Sequence, residues 1–303
     1  MKISNILPLM GYKEGYRIKN EKEFDFLCLS SHELDMPCCI FIESEKFINN
    51  IPKHVTMILA PEELSSLLLN QHFGVCLIKQ PRIVFFKLHN YLSQIEGYKR
   101  FNKKTTIGEN CLINELSSIA EHNVSIGNDV IIEEFVVIRE NTVIGDRSII
   151  RSGSIIGGQG FEFKRQEKGV LSVEHVGGVI IGNDVELQYH NCVDCAIYPW
   201  DNTTIGDFVK IDNMVHIAHA VKIESNVMIA ACSLIAGRTK VKKNVWIGPG
   251  VVISNGITIG DSARVNIGSV STTNVTDGQS VTGNFAITHD KFIRNLKNII
   301  HHD

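Results

Sequence analysis

From position 181 to position 265 every sixth residue is aliphatic, with a single exception. The series runs Ile181, Leu187, Val193, Pro199, Ile205, Ile211, Ile217, Ile223, Ile229, Ile235, Val241, Ile247, Ile253, Ile259, Val265. A period of six matches neither the 3.6-residue repeat of a helix nor the two-residue repeat of a strand. Short fixed-period repeats mark solenoids, in which each unit hides its apolar residue by stacking on its neighbours. Small or acidic residues often follow the aliphatic one, as in Ile205-Gly206-Asp207 and Ile247-Gly248-Pro249. The pattern predicts a mainly β fold, a parallel β-helix shaped as a triangular prism. Each side takes six residues and each coil about eighteen, with the aliphatic residue pointing inward.

An earlier block follows the same rule: Ile107, Ile113, Ile119, a slip of one position, then Ile126, Ile132, Ile138, Ile144, Ile150 and Ile156. Residues 157–180 break the period with Gly157-Gly158-Gln159-Gly160-Phe161-Glu162-Phe163 and a charged stretch from Lys164 to Lys168. A solenoid accepts such an insertion as a loop, often on its binding face, and two aromatics among glycines fit a substrate loop.

Residues 1–102 lack the repeat. Phe24 to Leu29, Val55 to Leu59 and Val75 to Ile78 read as buried strands. Pro61 opens a short helix, and Pro81 opens a second with Val84, Leu88, Tyr91, Leu92 and Ile95 on one face and Gly97 as its stop. The expected organisation is an α/β domain over 1–102 and a β-helix over 103–283 with its insertion at 157–180. A C-terminal helix over 284–303 follows, in which Phe292, Ile293, Leu296, Ile299 and Ile300 form an apolar face that covers or flanks the last coil.

Composition narrows the class. No apolar stretch reaches the roughly 18 residues of a membrane span, and the opening residues lack a signal-peptide layout, so no integral membrane segment is expected. A net charge of −3 without a long basic block argues against nucleic acid. Eight cysteines without a paired secretory framework point to a reducing cytoplasm. Cys192 and Cys195 form one CxxC, but the second pair that a zinc ribbon needs is missing, so no metal is expected.

If residues one coil apart lie one above another, Asp201, His219 and Gly237 form a column along one edge, with Asp212 and Asn213 one side earlier. These are parts suited to acyl transfer. An amine attacking a thioester must lose a proton, and histidine can take it at neutral pH. A carboxylate can hold the ring and stabilise the imidazolium. A fixed N–H donor facing the tetrahedral oxyanion is worth about 3 kcal/mol.

Ile211-Asp212-Asn213-Met214-Val215-His216-Ile217-Ala218-His219 resembles the IDNxxxIAH segment of the UDP-3-O-acylglucosamine N-acyltransferases, the lipid A enzymes of Gram-negative bacteria. The loop Gly157 to Phe163 looks like their GxDGFGF loop, with Gln159 in place of aspartate. Phe41-Ile42-Glu43-Ser44-Glu45-Lys46-Phe47 is similar to FxxNPxY, and Pro81 to Leu92 to NPxxxFxKLxxLF. The resemblance implies a left-handed β-helix, an exception to the usual right-handed crossover. It also implies a homotrimer with clefts between prisms. Carried over by motif, His219 is the general base, Asp212 its orienting partner and Gly237 the oxyanion donor. Phe41 and Phe47 sandwich the nucleotide's base, which Ser44 reads where the family has asparagine, leaving uracil or thymine open. Gln159, Gly160, Phe161, Asn213 and His216 fall on the substrate side, and Gly237, Asn255 and Gly256 along the acyl donor.

Three departures favour a shorter acyl group carried by coenzyme A over a hydroxyacyl chain on acyl carrier protein. Ser44 replaces the family asparagine, Gly256 stands where the family has a second histidine, and the helical tail is short. No bound cofactor is expected, with acyl-CoA or acyl carrier protein as co-substrate. The expected acceptor is an amino sugar on a nucleotide diphosphate, as used in surface polysaccharide synthesis, with the lipid A acceptor as the alternative. O-acylation uses the same histidine. A hexapeptide-repeat carbonic anhydrase needs HxxxxH, which His216 and His219 do not supply, and a catalytically inert β-helix spacer is the remaining alternative.

Overall fold

The computed structural model describes the chain apart from residues 33, 69–70, 284–285 and 301–303 and the side chains of 299 and 300. The N-terminal region is a five-stranded sheet made of β1 (Tyr16–Lys19), β2 (Phe26–Leu27), β3 (Cys38–Phe41), β4 (Val55–Ala60) and β5 (Gly74–Ile78), in the order β1-β5-β4-β3-β2. β1 runs antiparallel to β5 and the other pairs are parallel. With it go the helices α1 (Ile3–Leu9), α2 (Ser65–Leu68) and α3 (Pro81–Leu92). The predicted strand over 24–29 shrinks to two residues, whereas β1 and β3 lie outside the predicted strands. β3 sits inside the sheet, and its apolar run lacks the polar alternation that betrays a half-exposed strand. The segment after Pro61 is a 3₁₀ turn (Glu62–Leu64) followed directly by the single α-helical turn α2. α3 buries Val84, Phe85, Leu88 and Leu92 but ends five residues before Gly97, which leaves Ile95 42% exposed.

From Thr106 onward the chain winds through three parallel sheets of nine, eight and eight short strands. Ile211 pairs with Ile229, Ile217 with Ile235 and Ile223 with Val241, eighteen positions apart in each case. Every aliphatic member from Ile205 to Val265 is at most 2% exposed. Each such side chain contributes roughly 1.5–3 kcal/mol by leaving water, and stacking makes those contributions continuous. The one-residue slip is visible as nineteen-residue spacings, Ile107 to Ile126 and Ile113 to Ile132. Ile107 departs from the rule: it is 51% exposed at the first coil, where nothing stacks outside it.

The corners have a period of their own. Residues 208, 214, 220, 226, 232, 238, 244, 250, 256, 262 and 268 all have positive φ, most of them not glycine. β-branched residues, for which this backbone is most strained, are absent from those corners. Gly256, at φ +71°, is one of them.

Two excursions leave the prism. In the first, strands Ile155–Gly158 and Gly178–Ile181 flank an insertion, and Ile144 pairs with Ile181, thirty-seven positions on. The inserted segment carries an antiparallel hairpin, Phe163–Arg165 against Val170–Ser172. It is strapped to α3. Asn90 donates to the Ser172 carbonyl (2.6 Å) and accepts from the Glu174 N–H (3.0 Å), while a His89 ring nitrogen contacts the Glu174 carbonyl (2.9 Å).

The second excursion is hidden in the period. Ile181 pairs with Ile205, Leu187 with Ile211 and Val193 with Ile217, all twenty-four positions apart. That coil holds one hexapeptide too many. Residues 195–201 loop out, and Pro199 is the member of the series that does not join the prism interior. Tyr198 and Trp200 stack in parallel (5.4 Å), with His32 edge-on to both. The Trp200 indole donates to the Leu27 carbonyl (3.0 Å), so the loop pins the N-terminal sheet to the prism. Arg100 holds it from the linker side through the carbonyls of Pro199 and Asp201.

Parallel β2 and β3 bring Cys28 and Cys38 to a Cα separation of 6.2 Å, and the two form a disulfide. The C-terminal helix α4 (His289–Ile300) is present, but Phe292 and Leu296 remain 51% and 39% exposed rather than covering the last coil. The expected apolar positions 299 and 300 fall outside the described side chains.

Candidate active site

A cleft of about 510 Å³ opens between the prism corner, the insertion and the N-terminal sheet. His219 stands on the corner strand end that precedes Ala220, whose positive φ turns the chain. Its ring lies under Gly237: a Cβ at 237 would sit 2.7 Å from His219 Nε2, so glycine is required for the imidazole to occupy this space. Asn255 continues the column and lines the same cleft. Among the described residues, the Gly237 N–H makes no hydrogen bond. Neighbouring backbone N–H groups do, as Ala236 and Arg238 donate to Ile253 and His219.

The partner of His219 is Glu162, from the insertion. Its carboxylate lies 3.7 Å from His219 Nε2. Glu162 is fixed by Lys164, whose ammonium in turn sits 4.4 Å above the Phe86 ring of α3. Burial drives the His219 pKa down to about 4; Glu162 opposes that shift, and His175 and Arg238 add to it. The imidazole is therefore neutral and able to accept a proton at physiological pH. Its Nδ1 is buried without a hydrogen-bond partner. His175 stands edge-on to His219 (5.7 Å), its own pKa lowered chiefly by burial. Gly160 closes the other side; a Cβ there would lie 3.0–3.3 Å from His175, Asp194 and His219.

Asp194 and His216 form a second pair at 3.5 Å on the cleft floor. Burial raises the Asp194 pKa to about 7 and lowers that of His216, pushing both toward their neutral forms. Arg82, Lys164 and Arg238 bring positive charge to the cleft lining, that of Lys164 paired with Glu162.

The structure thus gathers part of the sequence-derived set. His219, Gly237, His216, Phe161, Phe41 and Asn255 line the cleft. Phe41 packs 5.1 Å from Phe85, and Phe161, 89% exposed, packs 4.8 Å from Phe163. Asp212 does not reach His219. Its carboxylate accepts the N–H groups of Asn213 (2.7 Å) and Ala231 (3.2 Å) and borders a separate groove with Met228 and Trp246. Asn213 likewise turns its carbonyl oxygen to the Tyr189 N–H (3.0 Å). Both close the stacked corners, a structural use of the same dipeptide. Asp201 is also displaced from the predicted column: the coil below is longer by six residues, and its carboxylate is taken by Lys222 (2.7 Å). Ser44 caps the 3₁₀ turn Glu45–Asn50, Phe47 is 54% exposed, and neither borders the cleft. Gln159 bonds outward to Glu174 (3.0 Å), and Gly256 serves the corner. Sequence reasoning missed Glu162, Asp194 and His175. Only Glu162 left a usable trace, a carboxylate at the last glycine of the loop pattern GxDGFGF.

The family described as bacterial transferase hexapeptide (six repeats) matches residues 123–158 and 202–237. Over those two segments the chain carries the hexapeptide repeats of that family. A Legionella pneumophila (strain Paris) protein named UDP-3-O-acylglucosamine N-acyltransferase 2 is 49% identical over 148 residues, 48% of this chain and 43% of that one. UDP-3-O-acylglucosamine N-acyltransferase of Acidovorax sp. (strain JS42) is 45% identical over 130 residues, 43% of this chain and 39% of its own. The matches therefore span about two fifths of those relatives' length. Among solved structures, UDP-N-acetylglucosamine acyltransferase from Campylobacter jejuni shares the fold (TM-score 0.54, 20% identity, 64% of this chain and 79% of that one). No helix among the described residues is long and apolar enough to cross a membrane.

Proposed function

We propose that the protein is an N-acyltransferase that moves an acyl group from a thioester to the amino group of a nucleotide-linked glucosamine, with His219 as general base. The observation that carries this reading is the convergence at one corner of a neutral imidazole, a carboxylate 3.7 Å away and an unengaged N–H beside the ring. The amine adds to the thioester carbonyl and passes its proton to His219. Glu162 stabilises the resulting imidazolium, and the Gly237 N–H faces the charge that develops on the carbonyl oxygen. Collapse of the tetrahedral intermediate expels the thiolate, which recovers the proton.

The relatives' names favour UDP-3-O-acylglucosamine, the lipid A type of acceptor, over an amino-deoxy sugar of surface polysaccharide. Arg82 and Arg238 in the cleft lining suit a nucleotide diphosphate, with Phe41 toward its base. A second reading, a short acyl group on coenzyme A, is supported by Gly256, where the family's second histidine is replaced by a corner glycine. The exposed stripe Leu234, Val252 and Val270 on the cleft-bearing sheet supports a homotrimer whose neighbouring prism covers it. The proposed compartment is the cytoplasm. Incubating the pure protein with acyl-carrier-protein and acyl-CoA donors against UDP-3-O-acylglucosamine and other amino-sugar nucleotides, followed by mass analysis, decides among these. Acyl amide on UDP-3-O-acylglucosamine is expected. Failure to acylate or bind any of them would leave an inert β-helix spacer.

A further inference from the structure

Away from the cleft, the N-terminal sheet brings together three soft donors. Cys28 follows β2, Cys38 opens β3, and His54 directly precedes β4. Phe26 pairs with Cys38, Cys38 pairs with Val55, and the Cys38 N–H donates to the His54 carbonyl (3.1 Å). This register leaves both sulfurs and a ring nitrogen of His54 within 4.8 Å of one another. Both cysteines are fully buried, packed in an aliphatic cluster with Ile40, Val55 and Ile58. His54 Nε2 is itself buried and has no hydrogen-bond partner. None of the three residues lines the His219 cleft.

Two sulfurs and one imidazole, with no carboxylate among them, are the donor set of a thiophilic cation rather than of a hard one. We propose that Cys28, Cys38 and His54, with the cysteines in the dithiol form, bind a d¹⁰ cation, zinc(II) or copper(I). Metal–sulfur bonds of about 2.3 Å and a metal–nitrogen bond of about 2.0 Å place such donors roughly 3.5–4 Å apart, within reach of side-chain adjustment here. Binding forms two metal–thiolate bonds and one metal–imidazole bond and releases the two thiol protons to solvent, without electron transfer. The disulfide form is closed to the cation; an external dithiol opens it, becoming a disulfide itself as the two thiols are regenerated. A bound cation would tie β2, β3 and the entry to β4 next to Leu27, whose carbonyl receives the Trp200 indole. The site would then stiffen the sheet where the looped-out hexapeptide docks.

The test uses the full chain, reduced with a dithiol, stripped of metal, and loaded anaerobically with zinc(II) or copper(I) in separate arms. About one equivalent should bind, protect Cys28 and Cys38 from alkylation, and raise the melting temperature. His54→Ala and Cys38→Ser should weaken binding by about tenfold or more, while Cys192→Ser should not change it. Should Cys38→Ser fail to fold, His54→Ala and His54→Gln decide. Binding of either metal under these conditions supports the site and identifies the cation. The proposal is overturned if the reduced protein binds neither stoichiometrically, or if His54→Ala retains full affinity. Loss of binding in Cys192→Ser would overturn it as well.

Discussion

The two excursions from the prism differ in how they disturb the repeat and in what they contribute. The long one, between Gly158 and Gly178, breaks the six-residue series and can be seen in the sequence. The short one, residues 195–201, adds a whole hexapeptide, so the series runs through it in phase and Pro199 alone betrays it. The long insertion lines the cleft: Glu162, Gly160 and His175 surround His219. The short one delivers anchorage through Tyr198 and Trp200, although Asp194 at its root enters the cleft. Period reports the phase of a strand, not the length of the coil that contains it.

The largest expected effect lies in the regular coils. His219→Ala should lower kcat by about 10²–10⁴-fold with the fold intact by circular dichroism; near wild-type turnover would mean that the column is not catalytic. Glu162→Gln should lower kcat by about tenfold, since a carboxylate this close favours the charged imidazole by roughly one unit or more. The same variant should move the acid limb of the pH–rate profile to lower pH. An unmoved limb would reduce the long insertion to a cover.

Trp200→Ala should destabilise by about 3 kcal/mol in denaturant unfolding, with the loss reported by the N-terminal sheet. If the prism melts instead, the short excursion is not an anchor. The smallest effect concerns acid. Burial lowers His32 to about 3 and His89 and His219 to about 4. Each is neutral when folded and binds a proton more readily when unfolded. Their contribution is complete above the unfolded value of about 6.5 and is lost as pH falls toward 4 and below. Unfolding midpoints between pH 7 and pH 4 should therefore decline, and His89→Phe should flatten that decline slightly.

Much of the fold was legible because one aliphatic residue per prism side is buried throughout the regular coils from Ile205 to Val265. The N-terminal sheet was harder. β3 is buried on both faces and shows no alternation, and β1 is an edge strand whose partner, β5, lies some sixty residues away. The site was half legible. His219 and Gly237 were placed by counting one coil, and that count held because residues 202–283 carry no insertion. Asp212 is engaged elsewhere within the chain, and a carboxylate near a histidine in sequence suits catalysis and corner closure equally well. Its two backbone N–H partners belong to stacked coils that only the fold brings together.

What the chain determined by itself is therefore the repeat: the inward aliphatics, the corners that accept positive φ, and the vertical column through His219. All of these are local or recur at fixed spacing, so a linear string can express them. Which carboxylate lies beside His219, where the extra hexapeptide goes and which cysteines meet were decided by tertiary structure. Glu162, Trp200 and the Cys28–Cys38–His54 group depend on contacts across separate elements, and no periodicity encodes the energy of packing one against another.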